Sequence, residues 1–318
     1  MCASVLSLLA LISLAMKFGR SPCLQFNQCL QFPFLRLKLI SLAKVKQQTQ
    51  AQRQASEDLL LLLNSSSTML ICYPYQFIFL KPLKAAGTSV ECFLEPLCRE
   101  QPCNIREYGC EAISSKGIVG YRGQQRGNST YWHHMPAKLI KTLHPDLFDH
   151  YHKISIVRNP YQKAISLFLW LGPLNYSEAQ NLAEHEPDHL SNLFSLFLRH
   201  QIKDASLLSD KSRLLIDSQL VIDHILHFER ITEDLKELIN RLSLPLSIEQ
   251  LGWYKPSNAN GLDHRLDQYY CDTSLKMVNE MCEWYFTLFG YNKYDSMASL
   301  LTSTNKRTRS SIPRFQAE

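Results

Sequence analysis

The apolar positions of this chain fall into short dense runs, each followed by a stretch with helical spacing. Gln76–Leu80 (QFIFL) has four apolar residues in succession, without the alternation of a half-solvated strand, and predicts a short strand buried on both faces. His152–Val157 (HKISIV) predicts a second strand and Val221–Phe228 (VIDHILHF) a third. After the first, Thr88 and Ser89 open a predicted helix that reaches about Cys98. After the second, Pro160 suits the first turn of a helix carrying Tyr161–Trp170, which stops before Gly172 and Pro173. Ile231–Leu242 reads as a helix with Thr232 as its cap and Glu233 and Asp234 in its first turn. Asp272–Phe289 reads as one helix ended by Gly290, and Pro187–Leu220 as helical and lying over the site as a lid. Strands alternating with helices predict an α/β fold: a central parallel sheet with helices on both faces.

Outside this patterned stretch the character changes. Met1–Met16 is almost wholly apolar and is followed by Lys17 and Arg20; it is short for a membrane span and lacks the basic start of a signal peptide. Residues 44–67 are rich in Gln and Ser, as in a linker. The expected organisation is an N-terminal extension over 1–68, weakly structured or membrane-associated through 1–16. A folded domain over 69–295 follows, then a basic, Ser/Thr-rich mobile tail over 296–318. Whether 1–68 stays in the mature protein is left open. So is location: cytoplasmic if 1–16 is no anchor, membrane-anchored if it is.

Composition narrows the function classes. With 45% apolar and 20% charged residues the 318-residue chain is globular, neither disordered nor fibrous. A net charge of +5 without a dense basic stripe disfavours a nucleic-acid binder, yet suits a small polyanion site needing few cations. Ten cysteines without a CxxC pair exclude a disulfide scaffold and a structural zinc site, and no metal ligand cluster is expected. The reading is of thiols in a reducing compartment, with the alternative of disulfides joining Cys92 and Cys98 to Cys103 and Cys110.

In an open parallel sheet ligands bind beyond the carboxyl ends of the strands. Two predicted strand ends carry polar clusters. The first is Lys84-Ala85-Ala86-Gly87-Thr88-Ser89, a small-residue turn at a helix start, where backbone amides, a lysine and two hydroxyls suit a terminal phosphate or sulfate. It is P-loop-like without being a Walker A loop, because the lysine precedes the glycine. The second is IVRNPYQKAIS, in which Arg158 ends a strand and Ser166 follows eight positions later. Strand–helix packing explains the first cluster alone, and a surface ion pair explains a lone Arg. Their conjunction is what points to an anion with two charged ends.

With these residues in view, the chain resembles the sulfotransferases that use 3′-phosphoadenosine 5′-phosphosulfate (PAPS), in the carbohydrate-type branch that includes Golgi and bacterial enzymes. FIFLKPLKAAGTSVE is similar to their 5′-phosphosulfate loop and ISIVRNPYQKAIS to their 3′-phosphate motif. HILHFERITEDL resembles the later strand and acidic helix start, and RLDQYYCDTSLKMVNEMCEWYFTLFGY the C-terminal signature. The four motifs span Phe77 to Tyr291 in family order. Departures are Ala86 for the first of two glycines, Pro82 displaced from the lysine, and Lys163 for the commoner Arg.

The resemblance implies PAPS as cosubstrate, no metal, and in-line sulfuryl transfer to a hydroxyl acceptor, a glycan foremost. It implies that Lys84 stabilises the leaving oxygen, that residues 84–89 hold the 5′-phosphate, and that Arg158 and Ser166 hold the 3′-phosphate. Arg265 is a further candidate over the cofactor, against an ordinary ion pair. The base is His134 or His133 of YWHHMPAKL, with His134 better matched to Ala137 three residues on. Tyr121, Arg122, Arg126, Tyr131 and Trp132 either face the acceptor or form an ordinary loop. The competing readings are an ATP-dependent kinase-like P-loop enzyme and a non-catalytic nucleotide- or carbohydrate-binding relative. Acceptor identity, disulfide state and oligomeric state are not legible.

Overall fold

A computed structural model of the chain describes residues 69–101, 109–123, 129–132, 134–202, 206–254 and 266–307. The expected extension over 1–68, His133, Arg126, Arg265 and the chain beyond 307 lie outside these residues. Among the described residues no helix is long and apolar enough to cross a membrane.

The apolar run MLICYPYQFIFL makes two strands. β1 (Met69–Cys72) turns at Tyr73–Gln76 and returns antiparallel as β2 (Phe77–Leu80), with Met69 opposite Leu80 and Cys72 opposite Phe77. All eight residues are fully buried. The chain then enters α1 (Gly87–Leu94), which tightens into a 3-10 turn over Glu95–Cys98. A second hairpin, β3 (Ala112–Ser114) and β4 (Gly117–Val119), lays β4 antiparallel on β1. Gly117 is obligatory there: its φ is 155°, and a Cβ would lie 2.0 Å from the Ile71 carbonyl oxygen.

From α2 (Ala137–Leu143) the chain reaches β5 (His152–Val157), which lies parallel to β2. α3 (Pro160–Leu171) and α4 (Pro187–Ile202) follow, then the small separate hairpin β6 (Leu215–Ile216) and β7 (Gln219–Leu220). β8 (His224–His227) pairs parallel with β5 and leads into α5 (Ile231–Arg241). The chain ends its described course through α6 (Asp272–Met281), α7 (Glu283–Phe289) and α8 (Met297–Arg307).

The fold is α/β, with a mixed six-stranded sheet in the order β3-β4-β1-β2-β5-β8. The expectation of a wholly parallel sheet is corrected: only β2, β5 and β8 run together, and the other half is antiparallel. Phe77, Phe79, Ile154 and Ile156 share one core with Val90, Phe93 and Leu94 of α1 and with Ile231, Leu235 and Leu238 of α5. The alternate residues Ile78, Leu80, Ser155 and Val157 are equally buried, so the sheet is covered on both faces. That double burial is why these strands lack polar alternation in the sequence.

Four local expectations change. Residues 187–220 are not one helical lid: α4 buries Leu190, Phe194 and Leu198, and Phe194 meets Phe168 at 5.4 Å and Tyr270 at 4.9 Å between ring centres. α5 begins after Arg230 with no side-chain cap, so Thr232 does not cap it; the Asp234 carboxylate instead takes the His227 amide at 2.7 Å. The predicted helix 272–289 breaks at Cys282, whose φ and ψ of −115° and 17° separate α6 from α7. The expected tail after Asp295 opens as helix α8, with Leu300 buried.

Candidate functional site

The site is built where β2 and β5 end side by side. After Leu80 the chain passes Lys81, Pro82 and Leu83 and then bends through two left-handed residues, Lys84 at φ 53° and Ala86 at φ 58°. An L-residue with a Cβ is disfavoured there by roughly 1–2 kcal/mol. Ala86, not Gly87, carries the positive φ. Gly87 is needed for space: a Cβ on it would lie 2.6 Å from Lys81 Cγ. The Lys81 stem crosses the start of α1 at that point, and its ammonium reaches the buried Glu91 carboxylate at 2.7 Å. Gly87 and Thr88 stand in the first turn, where helical amides have no acceptor within the helix and the positive end of the peptide dipoles emerges.

Ser89 departs from its expected role. It is fully buried and its hydroxyl accepts the Tyr254 amide at 3.0 Å, tying the helix start to the 246–254 segment. Lys84 is partly exposed and holds its ammonium 5.3 Å from the centre of the Trp170 ring at the end of α3. Its carbonyl accepts from Arg158 Nη1 at 3.3 Å. Lys84 and Arg158, 74 positions apart, are therefore neighbours.

Arg158 is 3% exposed, with its guanidinium 4.3 Å over the Phe228 ring just beyond β8. Its own amide donates to the Tyr285 hydroxyl at 3.2 Å, and Asn159 caps α3 by accepting from the Tyr161 and Gln162 amides. The Asn159 amide donates to Glu229 at 2.7 Å. Strand, cap and aromatic floor thus hold the guanidinium in one place. Ser166 is buried on the same helix, about 9 Å along the axis from Pro160.

Lys163 is committed to a buried pair behind this loop. It is fully buried, paired with the Asp210 carboxylate, and donates to the Leu208 carbonyl at 2.6 Å. Burial lowers its pKa, against the pull of Asp210. Asp210 also accepts the Leu83 amide at 3.2 Å and Arg213 at 3.4 Å, so one buried carboxylate joins the loop before Lys84, α3 and the segment leading to β6. Sequence reading missed both Asp210 and Phe228. For Asp210 the only signal was an acidic residue closing an apolar pair, Leu207-Leu208-Ser209-Asp210; for Phe228 it was an aromatic at a strand end.

His134 stands at φ 66° before α2, with Nδ1 2.8 Å from the Lys81 carbonyl oxygen. A carbonyl only accepts, so Nδ1 carries the hydrogen, which in a neutral ring puts the lone pair on Nε2. That is the tautomer a proton acceptor requires. Its partner residue on the chain is the same Lys81 whose side chain crosses Gly87.

Of the residues expected near an acceptor, Arg122 is 3% exposed and paired with Glu95, and Glu91 stands at 4.0 Å; it belongs to an inner ion network rather than a ligand face. Trp132 is also buried. Clefts of about 260 and 290 Å³ occur at Cys92, Phe93, Leu246 and Tyr254, and at Tyr75, His152, Arg241 and Ser243, and none of Lys84, Arg158 or His134 lines them. Among the described residues no group of three or more His, Cys, Asp or Glu gathers to hold a metal ion. No family model, curated protein or solved structure matches this chain.

Proposed function

We propose that the chain is a PAPS-dependent sulfotransferase acting on a carbohydrate hydroxyl. The observation that carries this reading is the contact between Arg158 and the Lys84 carbonyl, which sets a buried guanidinium against the loop that carries the Lys84 ammonium, at the carboxyl ends of two adjacent parallel strands. A nucleotide with phosphates at both ends needs such a pair within one molecule's length. The strand, loop and helix over Phe77–Leu94 act in this reading as a P-loop-like cradle.

The residues divide the work. Backbone of Lys84, Ala85, Ala86, Gly87 and Thr88 faces the 5′-phosphosulfate, while Arg158 and Ser166 face the 3′-phosphate. His134 Nε2 takes the proton as the acceptor oxygen attacks sulfur, the sulfur–oxygen bond to the nucleotide breaks, and Lys84 neutralises the charge left on the departing phosphate oxygen. Ser89 and Lys163 serve the frame.

Differential thermal stability tests the reading. Adenosine 3′,5′-bisphosphate at a hundredfold excess over its Kd adds about 2.7 kcal/mol, a rise of roughly 5–10 °C for a chain of this size, and ATP with Mg²⁺ adds little. Labelled PAPS with a panel of glycans then shows transfer. A protein indifferent to the bisphosphate and silent on every acceptor is not this enzyme.

A further inference from the structure

Cys72 closes β1 and is fully buried; Cys98 closes the 3-10 turn after α1 and is 1% exposed. The fold sets them against each other. Cys72 lies opposite Gly117 across the β1–β4 ladder, and a Cβ at Gly117 would stand 3.3 Å from Cys98 Cβ. The Cys72 thiol points at the Leu97 carbonyl at 3.4 Å, one residue short of Cys98. Each thiol shifts the other's pKa: Cys98 lowers that of Cys72 against its burial, and burial, with Cys72, raises that of Cys98. The turn that carries Cys98 is held from its other side, where Ser114 Oγ donates to the Cys98 carbonyl at 3.1 Å. Neither sulfur has a role in the site described above.

We propose that Cys72 and Cys98 form a covalent modification site, closing as a disulfide that pins β1 to the end of the first helix. The partner differs from that suggested by spacing, where Cys98 was paired with Cys103 or Cys110. The oxidant is a low-molecular-weight disulfide such as oxidised glutathione. A Cys thiolate attacks it and expels one reduced glutathione; the second Cys attacks the mixed disulfide and expels another. The two sulfurs lose two electrons and two protons, and one S–S bond breaks for one formed. Because both thiols are buried, one on a central strand and the other in the turn packed against it, closure belongs to folding and not to exposure of the finished protein. Native reduced protein soaked in oxidised glutathione therefore stays reduced at this pair.

The test produces the full chain twice in one host, once in a reducing and once in an oxidising compartment. Both samples are denatured in N-ethylmaleimide and mapped without reductant. The expected result is a peptide pair joining Cys72 and Cys98 in the oxidised sample only, with a higher Tm than the reduced sample. That Tm difference vanishes in Cys72→Ser and in Cys98→Ser. Maleimide on both cysteines in the oxidised sample, or either one joined instead to another cysteine, overturns the proposal. The peptide map of the unsubstituted chain decides the matter even if both variants fold poorly.

Discussion

Ala86 holds a left-handed conformation at φ 58° in a loop where a glycine would sit without strain. Replacing it by glycine removes the Cβ clash and adds freedom to the unfolded chain. The first effect exceeds the second, so Ala86→Gly gains roughly 0.5–1 kcal/mol. Calorimetry reads this as a Tm rise of about 1–4 °C, and a fall in Tm shows that the loop does not keep this backbone. Cys271 is a second residue with a distinct expectation. Burial raises its pKa, but hydrogen bonds from Ser195, Ser274 and Ser191 and the Ser274 backbone contact outweigh burial and bring it down to about 7. Its thiolate accumulates above that pH, so alkylation by iodoacetamide reaches half its limiting rate near 7, whereas Cys92, pushed up to about 11 by burial, stays unreactive. A Cys271 profile centred near 9 removes those hydrogen bonds from the account.

At the scale of elements, Asp210 ties three pieces together: the loop through Leu83, α3 through Lys163, and its own segment through Arg213. Asp210→Asn leaves the Lys163 ammonium buried without a countercharge and costs about 3–5 kcal/mol. Asp210→Asn with Lys163→Met removes both charges and costs far less than the two single changes summed. Urea denaturation of the four proteins measures the coupling, and strict additivity contradicts the pairing. The elements also show what a chain sequence discloses. β2, β5, α1 and α3 were legible because double burial and a Pro160 start leave plain marks. The β1–β2 turn was not: it falls inside one apolar run, with Gln76 at φ 49° doing what a glycine would advertise. The break at Cys282 carries neither Gly nor Pro and leaves the helical spacing intact across it. α8 hides its single buried Leu300 among Ser, Thr and basic residues. At the site, the neighbourhood of Lys84 and Arg158 follows from the pairing of the strands that carry them. Phe228 and Asp210 come from distant segments, and only the folded chain brings them there.

Across the whole molecule the two cations divide the proposed chemistry in a way kinetics can separate. Lys84→Ala removes a charge needed only as the bond breaks, so kcat falls by about 10²–10³ with the fold retained. Arg158→Ala removes a ground-state phosphate contact, and the KM for PAPS rises on the order of 10- to 100-fold. Equal kcat in the parent and Lys84→Ala, or equal KM in the parent and Arg158→Ala, takes that residue out of the mechanism. The mixed sheet places both beyond its parallel half, where strand ends point the same way. Lys81 links the parts, since its carbonyl orients His134, its stem covers Gly87 and its ammonium grips Glu91. Imidazole and cradle are consequently one rigid unit: nothing that tilts the start of the first helix can do so without dragging the ring along. In the proposed reaction, adaptation to acceptors of different size then falls to residues outside this unit, such as Trp170, which stands half exposed beside Lys84.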